Sequence, residues 1–435
     1  MVLHVVQGLD FERDSPLHKH TMLFDATRHE PLDPRLHWCA DTAHAAITQI
    51  VQDAEARFDA ERYWPVHPQD AVSKKDLRSI STSLYYGACG MFWGLHYLHD
   101  SGAVKLKRNY RDGPGMKLLL KRNRAWLGKS AKREKAAYLM GDTPIEMLAF
   151  GVDANPARQA RLHSLIQGNI DYPARELMWG SPGTLLAALL LHERTGDARW
   201  AELFRQSAAK LWSQLKWSDE HGCAYFDQDL YGRHFTFMDA VHGFAGTALP
   251  LIKGRHLMTQ ETWAAWEACI VNTVTRTAQW EGNAANWHAQ LQPAASHAQG
   301  MLMQYCHGAP GFVICLADMP GTSLADMPGS ALDDLLIAGG EATWNAGPLT
   351  KGSNLCHGTG GNGYAFLKLH KRTGNLLWLE RARAFAMHGI AQTQSAALEH
   401  GQMRYSLWTG DMGFAIYLRD CIEAQARFPT LDVYF

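Results

Sequence analysis

Apolar runs of helical length recur along the chain, and most of them follow a short turn that is rich in glycine. Some runs, such as 184–191, are apolar at nearly every position, which is typical of helices that are buried on all sides. Others are amphipathic, such as 200–212, where apolar residues recur at the spacing of one helix face. Alternating runs rich in Val, Ile and Thr are scarce. The pattern therefore predicts an all-α fold.

Seven glycine turns divide the chain into units. Their leading glycines are Gly87, Gly141, Gly180, Gly243, Gly308, Gly358 and Gly410. The interval between two turns holds two helices of ordinary size with their connections. Seven helix pairs predict a closed ring, with apolar helices inside and amphipathic helices outside. The glycines either line one mouth of this ring with free N–H groups or only permit close packing.

The start of the chain does not share this repeat. Residues 1–40 are rich in Pro, His and charged residues and show little periodicity, which predicts an irregular lead-in. A helical pattern begins at residue 41, so we expect one domain over 41–435. Pro144 comes soon after the second glycine turn and predicts that the helix there begins differently from the others.

The composition is that of an ordinary globular chain. Its 435 residues carry a formal net charge of −1, which gives no general attraction to nucleic acid. The eight cysteines are scattered, so a disulfide framework is not expected. There is no basic segment followed by a long apolar run at the start, and no apolar window of about 18 residues, so neither a signal peptide nor a membrane span is predicted. We expect a cytoplasmic monomer with reduced thiols.

Two stretches depart from the repeat. Residues 105–135 contain twelve Lys or Arg and two acidic residues, which is typical of a solvated helical hairpin or of a patch for an anionic partner. The hexapeptide at 316–321 recurs at 324–329, a short tandem duplication to which we assign no chemistry.

Two of the glycine turns carry a cysteine followed by a histidine. Cys306 and His307 lie in the fifth turn, and Cys356 and His357 lie in the sixth. Thiolates and neutral imidazoles are the ligands that zinc prefers. Cys306, Cys356 and His357 would make a three-ligand zinc site with an open position, as in catalytic sites. His307 as a fourth ligand would instead close the site and make it structural.

Several motifs together resemble the lanthionine synthetase C-like (LanC-like) family, most closely its stand-alone, eukaryotic-like members. The resemblance runs from roughly residue 81 to 435. Its strongest segment is Lys-Gly-Ser-Asn-Leu-Cys-His-Gly-Thr-Gly-Gly-Asn-Gly-Tyr-Ala-Phe-Leu at 351–367. The other characteristic segments are Ser-Leu-Tyr-Tyr-Gly-Ala-Cys-Gly at 83–90, Glu-Leu-Met-Trp-Gly-Ser-Pro-Gly at 176–183, Ala-Val-His-Gly-Phe-Ala-Gly at 240–246, Cys-His-Gly-Ala-Pro-Gly at 306–311 and Tyr-Ser-Leu-Trp-Thr-Gly-Asp-Met-Gly at 405–413.

The resemblance implies an α/α toroid of about seven inner and seven outer helices with zinc at one mouth. It implies Cys306, Cys356 and His357 as the zinc ligands, and it excludes His307. It also implies the reaction, in which a zinc-bound thiol adds to the β-carbon of a dehydroalanine or dehydrobutyrine residue and forms a thioether. The thiol is a cysteine of the same peptide in lantibiotic cyclases and glutathione in eukaryotic-like members.

Two residues are candidate catalytic groups. Addition of a thiolate to a dehydroamino acid needs a proton donor for the enolate that forms. His242 fits because imidazole titrates near neutral pH and the family places its active-site histidine there; otherwise it is a core histidine bonded to a backbone carbonyl. Glu176 lies four residues before Gly180, where the family carries a carboxylate. It would orient an imidazole or the substrate, or only cap a turn.

Two cations are candidate substrate-binding residues. Lys351 lies five residues before Cys356 and matches a family lysine near the metal. It would bind a carboxylate or stabilise the enolate, or it is an exposed lysine without a role. Arg404 is a candidate for binding an anionic group of the substrate, although the segment before the last turn is shorter than we expect.

The sequence supports three functions unequally. The first is a zinc enzyme that adds glutathione or a peptide cysteine to a dehydrated peptide or protein. The second is a non-catalytic zinc protein that binds peptides or partner proteins in the same cavity. A carbohydrate-processing enzyme ranks last, because such enzymes use paired carboxylates and only Glu176 is acidic near the turns that carry the candidate residues.

Overall fold

The computed structural model describes residues 23–71, 73–74, 76–291, 301–320 and 332–435. The first 22 residues of the expected lead-in and most of the duplicated 316–329 stretch lie outside these residues.

Helices make up most of the described chain. In chain order they are α1 (Ala40–Arg57), α2 (Ala88–Asp100), α3 (Gly113–Leu127), the short α4 (Ala131–Glu134), α5 (Thr143–Val152), α6 (Pro156–Asn169), α7 (Ser181–Thr195), α8 (Ala198–Ser213), α9 (Phe244–Lys253), α10 (Gln260–Thr277), α11 (Ala309–Leu316), α12 (Leu332–Ala346), α13 (Thr359–Thr373), α14 (Leu376–His400) and α15 (Asp411–Glu423).

Seven of these helices form a closed inner ring. Helix α2 contacts α5, and contacts then continue through α7, α9, α11 and α13 to α15, which returns to α2. The other long helices, α1, α3, α6, α8, α10, α12 and α14, pack outside the ring. This is an α/α toroid, and the all-α prediction with about seven inner and seven outer helices is confirmed.

The two layers differ in burial as their sequence patterns predict. In the inner helix α7 every residue from Ser181 to Leu191 is buried. In the outer helix α8 the apolar side chains of Trp200, Leu203 and Phe204 are buried against the ring. Trp212, near the end of the same helix, is 43% exposed. A helix between two layers needs apolar residues on all sides, and one at the surface needs only a stripe.

The glycine turns begin the inner helices, as the repeat predicts. The leading glycine is the N-cap residue of six inner helices, and α5 instead starts one residue later, with Asp142 as its N-cap and Pro144 in its first turn. Gly308 has φ +119°, a conformation that favours glycine. A Cβ at Gly361 would collide with the carbonyl oxygen of Leu355. Backbone segments therefore approach too closely in these turns for other residues.

Short β-hairpins join some of the helices, and the sequence pattern did not predict them. They are β1 (Lys216–Ser218) with β2 (Cys223–Tyr225), β3 (Gln228–Leu230) with β4 (Arg233–Phe235), and β5 (Ala278–Glu281) with β6 (Ala284–Trp287), all antiparallel. Each strand has three or four residues, too few for an alternating pattern to be recognised.

The basic stretch 105–135 does not form a hairpin of two equal helices. It contains a loop, the single helix α3 and the short α4. Helix α3 packs on α5 and buries Met116, Leu119, Asn123 and Leu127. Among the described residues, no helix is long and apolar enough to cross a membrane.

The segment after α15 covers the end of the ring that lies away from the glycine turns. From there Phe428 reaches through the ring to the glycine turns, where it stacks on Tyr305 of the fifth turn with ring centroids 4.7 Å apart. Asp432 receives the ammonium groups of Lys253 and Lys368, each at 2.9 Å. These contacts tie α9 and α13 together across the ring. The glycine turns lie at the opposite face, at the N-terminal ends of the inner helices, and form an open mouth there.

Candidate metal centre and its cavity

The fifth and sixth glycine turns meet at the open mouth of the ring. The backbone N–H of Cys306 donates to the carbonyl of Cys356 at 3.0 Å, and the N–H of Cys356 donates to the carbonyl of Trp408 at 2.9 Å. Neighbouring turns are thus joined by backbone hydrogen bonds, which fixes the direction in which each side chain leaves its turn.

The cysteine and histidine side chains of these turns converge. Among the described residues, Cys306, Cys356 and His357 place one ligand atom each within 4.8 Å of the others. The two cysteines are buried and the histidine is half-buried. Tyr85 donates its hydroxyl to Cys356 Sγ at 2.7 Å, and Gln304 donates its amide to Cys306 Sγ at 3.1 Å. Donors aimed at both sulfur atoms stabilise negative charge on them.

The residues present fit a zinc ion. Two thiols and an imidazole are the donor set that zinc prefers, and three protein ligands leave a position for another group. Burial opposes ionisation of Cys356, but hydrogen bonds from Cys306, His357 and Tyr85 hold its pKa well below the usual range. Burial and the neighbouring Cys356 raise the pKa of Cys306. The site therefore already favours one thiolate, and a divalent cation would favour the second.

His307 lies beside this cluster and faces a different partner. Its Nδ1 donates to Asp239 Oδ2 at 2.8 Å. The structure brings the other three predicted ligands together and leaves His307 out of the group.

His242 and Glu176 form a buried pair. His242 Nδ1 lies 2.8 Å from Glu176 Oε2, and both residues are at most 5% exposed. Because a carboxylate only accepts hydrogen bonds, Nδ1 carries a proton and Nε2 is the nitrogen available for exchange. Burial opposes protonation of His242, but the hydrogen bond to Glu176 and the charge of that carboxylate raise its pKa. The partner of His242 is thus a carboxylate and not a backbone carbonyl.

Glu176 also caps its own turn. Its two oxygens accept the backbone N–H groups of Met178 at 2.9 Å, Trp179 at 2.5 Å and Gly180 at 3.2 Å. The sequence left two roles open for Glu176, which were to cap a turn or to orient an imidazole. Its side chain does both.

Asp239 is a site residue that the sequence reasoning missed. It is fully buried, it caps the fourth turn through the N–H groups of Val241 and His242, and it holds His307. A pattern could have revealed it. The position four residues before the leading glycine is polar in six of the seven turns, and those residues are Ser83, Glu176, Asp239, Gln304, Asn354 and Ser406.

The two predicted substrate-binding cations differ in their surroundings. Lys351 is exposed, and in the described part of the chain no carboxylate lies within 4.0 Å of its ammonium group. Arg404 is ion-paired with Asp70, its Nε lying 2.9 Å from Oδ2. Burial disfavours its charge, but Asp70 raises the pKa of Arg404. Lys351 is therefore freer than Arg404 to meet a substrate anion.

One cavity is lined by the three candidate ligands, by His242 and His307 and by the two cations Lys351 and Arg404, whereas Glu176 and Asp239 do not line it. Its volume is about 520 Å³, which suits a drug-sized ligand or a short peptide segment. Its walls include residues of the segment 63–70 and the phenol of Tyr86. The candidate ligands, the His242 imidazole and two cations thus face a common space at the mouth of the ring.

An α/α toroid with a two-cysteine, one-histidine cluster at its mouth defines the class of protein. The sequence model of the family described as "Lanthionine synthetase C-like protein" matches residues 153–433. That match covers more than half of the chain, and the chain belongs to this family, as its motifs predict.

Curated relatives and a solved structure agree with the family. The chain is 27% identical over 286 residues to "Glutathione S-transferase LANCL1" of Danio rerio, covering 62% of this chain and 64% of that protein. It is 27% identical over 269 residues to "LanC-like protein GCL1" of Arabidopsis thaliana, covering 59% and 58%. The chain thus spans about three fifths of the length of these relatives. The structure named "Nisin cyclase" aligns with a TM-score of 0.50 at 14% identity, over 79% of this chain and 94% of that one, and shares the fold.

Proposed function

We propose that this protein adds a thiol to dehydroalanine or dehydrobutyrine residues and forms a thioether, with zinc held by Cys306, Cys356 and His357. One observation carries the proposal. The two-cysteine, one-histidine cluster and the imidazole of His242, which Glu176 holds from behind, line one cavity, so a thiolate and a proton donor would face the same substrate. The names of the relatives, a glutathione transferase and a cyclase, are consistent with this chemistry.

The three candidate ligands prepare the nucleophile. Cys306, Cys356 and His357 would hold zinc, whose Lewis acidity would lower the pKa of a substrate thiol and make a thiolate available at neutral pH. Tyr85 and Gln304 orient the two cysteine ligands by donating hydrogen bonds to their sulfur atoms. The three ligands and the two hydrogen-bond donors would thus hold the metal at the wall of the cavity.

His242 completes the addition by supplying a proton. Attack of the thiolate on the β-carbon forms the new C–S bond and moves the alkene electrons to the α-carbon as an enolate. His242 Nε2–H protonates that α-carbon, and the proton lost by the thiol restores the histidine, so no further reactant is needed. Glu176 is a positioning residue, because it holds the imidazole through Nδ1 and favours its protonated form.

The cations at the cavity bind the acidic groups of the substrates. Lys351 lacks a carboxylate partner in the described part of the chain and would pair with a carboxylate of the thiol substrate or with the enolate oxygen. Arg404 would act through its remaining donors, because Asp70 occupies part of its guanidinium group. Both glutathione and a peptide cysteine satisfy this arrangement.

Metal analysis tests the ligand assignment. The protein should purify with close to one zinc ion per chain, and Cys356→Ala should lose most of it, because one of three ligands is removed. The matched control is Cys269→Ala, which removes a partly buried thiol on α10 outside the cluster and should keep the zinc. Equal zinc in Cys356→Ala and wild type would remove the assignment.

A product assay separates the enzyme from a zinc protein that only binds peptides. A dehydroalanine peptide is incubated with the zinc-loaded protein and either glutathione or a cysteine-containing peptide, and thioether products are identified by mass. Product above the protein-free rate supports the proposal, and the better thiol identifies the class of nucleophile. Peptide binding without product, across several peptides and thiols, would favour the non-catalytic alternative.

A further inference from the structure

A second cavity, of about 1000 Å³, opens on the face of the ring opposite the candidate metal centre. Its lining residues include Asp100 at the end of α2, Val152 at the end of α5 and Arg194 near the end of α7. The inner helices begin at the mouth that carries the cysteines, so their last residues lie on the other face. Helix α2 has 13 residues and is therefore about 20 Å long, which is the approximate distance between the two faces of the ring.

This second cavity, which we call the basic cleft, is rich in cations. Its lining residues include Lys107, Arg108, Arg111, Arg194, Arg419 and Arg427, with Asp100 as the one acidic residue among them. Arg111 pairs with Asp100 at 2.8 Å, and Arg419 pairs with the buried Asp420 at 3.1 Å. Within the described ranges, the other four cations have no carboxylate within 4.0 Å. The cleft therefore carries a surplus of positive charge.

Helix dipoles do not account for this set of cations. Cations in the last turn of a helix compensate its partial negative charge, and Arg194 occupies such a position in α7, whereas the last turn of α15 contains no basic residue. Lys107, Arg108 and Arg111 instead lie on the loop between α2 and α3, and Arg427 follows α15. Separate segments of the chain thus bring cations to one cleft, and the basic stretch 105–135 supplies three of them.

A buried donor in the cleft lacks a partner. His96 lines the cleft and is 5% exposed, and its Nε2 accepts the backbone N–H of Tyr110 at 3.1 Å. Burial, together with the charge of Arg111, lowers the pKa of His96 to about 4, so the ring is neutral and carries its proton on Nδ1. Among the described residues Nδ1 has no hydrogen-bond partner. A buried N–H without an acceptor is unfavourable, so the wall of the cleft contains a polar group that the described residues leave unsatisfied.

We propose that the basic cleft binds a small oligoanion of the phosphate class, such as a polyphosphate or a polyphosphorylated metabolite. Five of the six cations are arginines, whose planar guanidinium groups match phosphate oxygens in pairs. The cations surround a space much larger than one phosphate, which favours a ligand with several charged groups. Arg419 lies 5.6 Å from the ring of Tyr97, so the floor of the cleft also offers an aromatic surface. This proposal is independent of the reaction at the metal centre.

Calorimetric titration with inorganic tripolyphosphate at low ionic strength tests the cleft. The variant Arg194→Gln/Arg427→Gln removes two exposed cations of the cleft that have no carboxylate partner among the described residues, so the fold should be kept. The matched control, Arg233→Gln/Arg276→Gln, removes two exposed arginines that do not line the cleft. All three proteins keep the same metal centre, so any extraction of metal by the titrant affects them equally.

We expect wild type and the control to bind tripolyphosphate equally, and the cleft variant to bind it at least ten times more weakly. Citrate, an oligoanion of carboxylates, should bind more weakly than tripolyphosphate to wild type. Equal affinities in the cleft variant and the control would overturn the proposal, as would the absence of binding to wild type. Tighter binding of citrate than of tripolyphosphate would overturn the assignment to the phosphate class.

Discussion

At the scale of single residues, one position in the repeat does two tasks. Glu176, Asp239 and Asn354 each lie four residues before a leading glycine, and each accepts backbone N–H groups of its own turn. In Glu176 and Asp239 the second oxygen then holds a histidine of another turn. A carboxylate has lone pairs for both tasks, so the same side chain shapes the turn and orients the imidazole.

This double role gives a prediction for Glu176→Gln. The glutamine oxygen can still cap the turn, so the fold and the zinc content should be unchanged. The loss of the carboxylate should lower the pKa of His242, and with it the fraction of protonated imidazole, because that carboxylate opposes the effect of burial. We expect thioether formation to fall by about 100-fold, measured as product per zinc-loaded protein.

A matched control accompanies this variant. Glu202→Gln neutralises an exposed carboxylate on α8, outside the cavity, and should keep the wild-type rate. A wild-type rate in Glu176→Gln would show that Glu176 only caps its turn.

The sequence predicts the reactive residues of the site better than their partners. Cys306, Cys356, His357 and His242 stand out because thiols and imidazoles recur beside glycine turns. The hydrogen bond from Tyr85 to Cys356 joins residues 271 positions apart, and the ion pair of Arg404 with Asp70 joins residues 334 positions apart. Such pairs depend on how the ring closes, and a local pattern does not contain that information.

At the scale of elements, the glycine turns set where the inner helices begin. The repeat predicts these positions well because the requirement is local: two backbone segments meet where a side chain would not fit. The hairpins escape the pattern, since strands of three or four residues leave weak signals. The late start of α5 does not escape it, because Pro144 predicts that this helix begins differently.

Replacement of Gly361 tests this requirement at the turn of Cys356. In Gly361→Ala the new Cβ would collide with the carbonyl oxygen of Leu355, next to the candidate ligand. We expect a loss of about 1–3 kcal/mol in the free energy of unfolding, measured by chemical denaturation, together with reduced zinc content.

Gly168→Ala is the control for this variant. Gly168 lies in α6, and a Cβ there meets no atom within 4 Å. That substitution should be neutral or stabilise by up to about 1 kcal/mol, because alanine favours the helix. A Gly361→Ala protein as stable as wild type would show that the turn can relax.

At the scale of the whole molecule, buried charges hold the covered end of the ring. Asp420 of α15 is fully buried, and it accepts the Tyr364 hydroxyl at 3.0 Å and pairs with Arg419 at 3.1 Å. Burial raises the pKa of Asp420 to about 7, against an ordinary value of 3.8. The folded protein therefore binds a proton that the unfolded chain releases at lower pH, and the stability from this group falls as pH rises toward 7.

Asp420→Asn removes this titration. Between pH 5 and pH 7, the free energy of unfolding of wild type should fall by about 2 kcal/mol relative to that of Asp420→Asn. Chemical denaturation of both proteins at several pH values measures that difference, and any constant offset from the substitution cancels. A difference that is independent of pH would show that Asp420 is ionised throughout this range.

The two faces of the ring divide the molecule by charge and chemistry. One mouth combines thiols, imidazoles and a cavity of about 520 Å³, and the other carries the arginine-rich basic cleft. The sequence predicts the ring because its repeat is regular. The basic stretch 105–135 indicates three cations of the basic cleft, whereas Arg194, Arg419 and Arg427 come from parts of the chain far from it, which a local pattern does not bring together.

The central claim is that His242 and the metal centre act together on a dehydroamino acid. The most direct measurement is the amount of thioether product from glutathione and a dehydroalanine peptide, compared between zinc-loaded wild type and His242→Ala. We expect product from wild type above the protein-free rate, equal zinc in both proteins, and at least about 100-fold less product from His242→Ala. Equal rates in the two proteins, or no product from wild type, would contradict this claim.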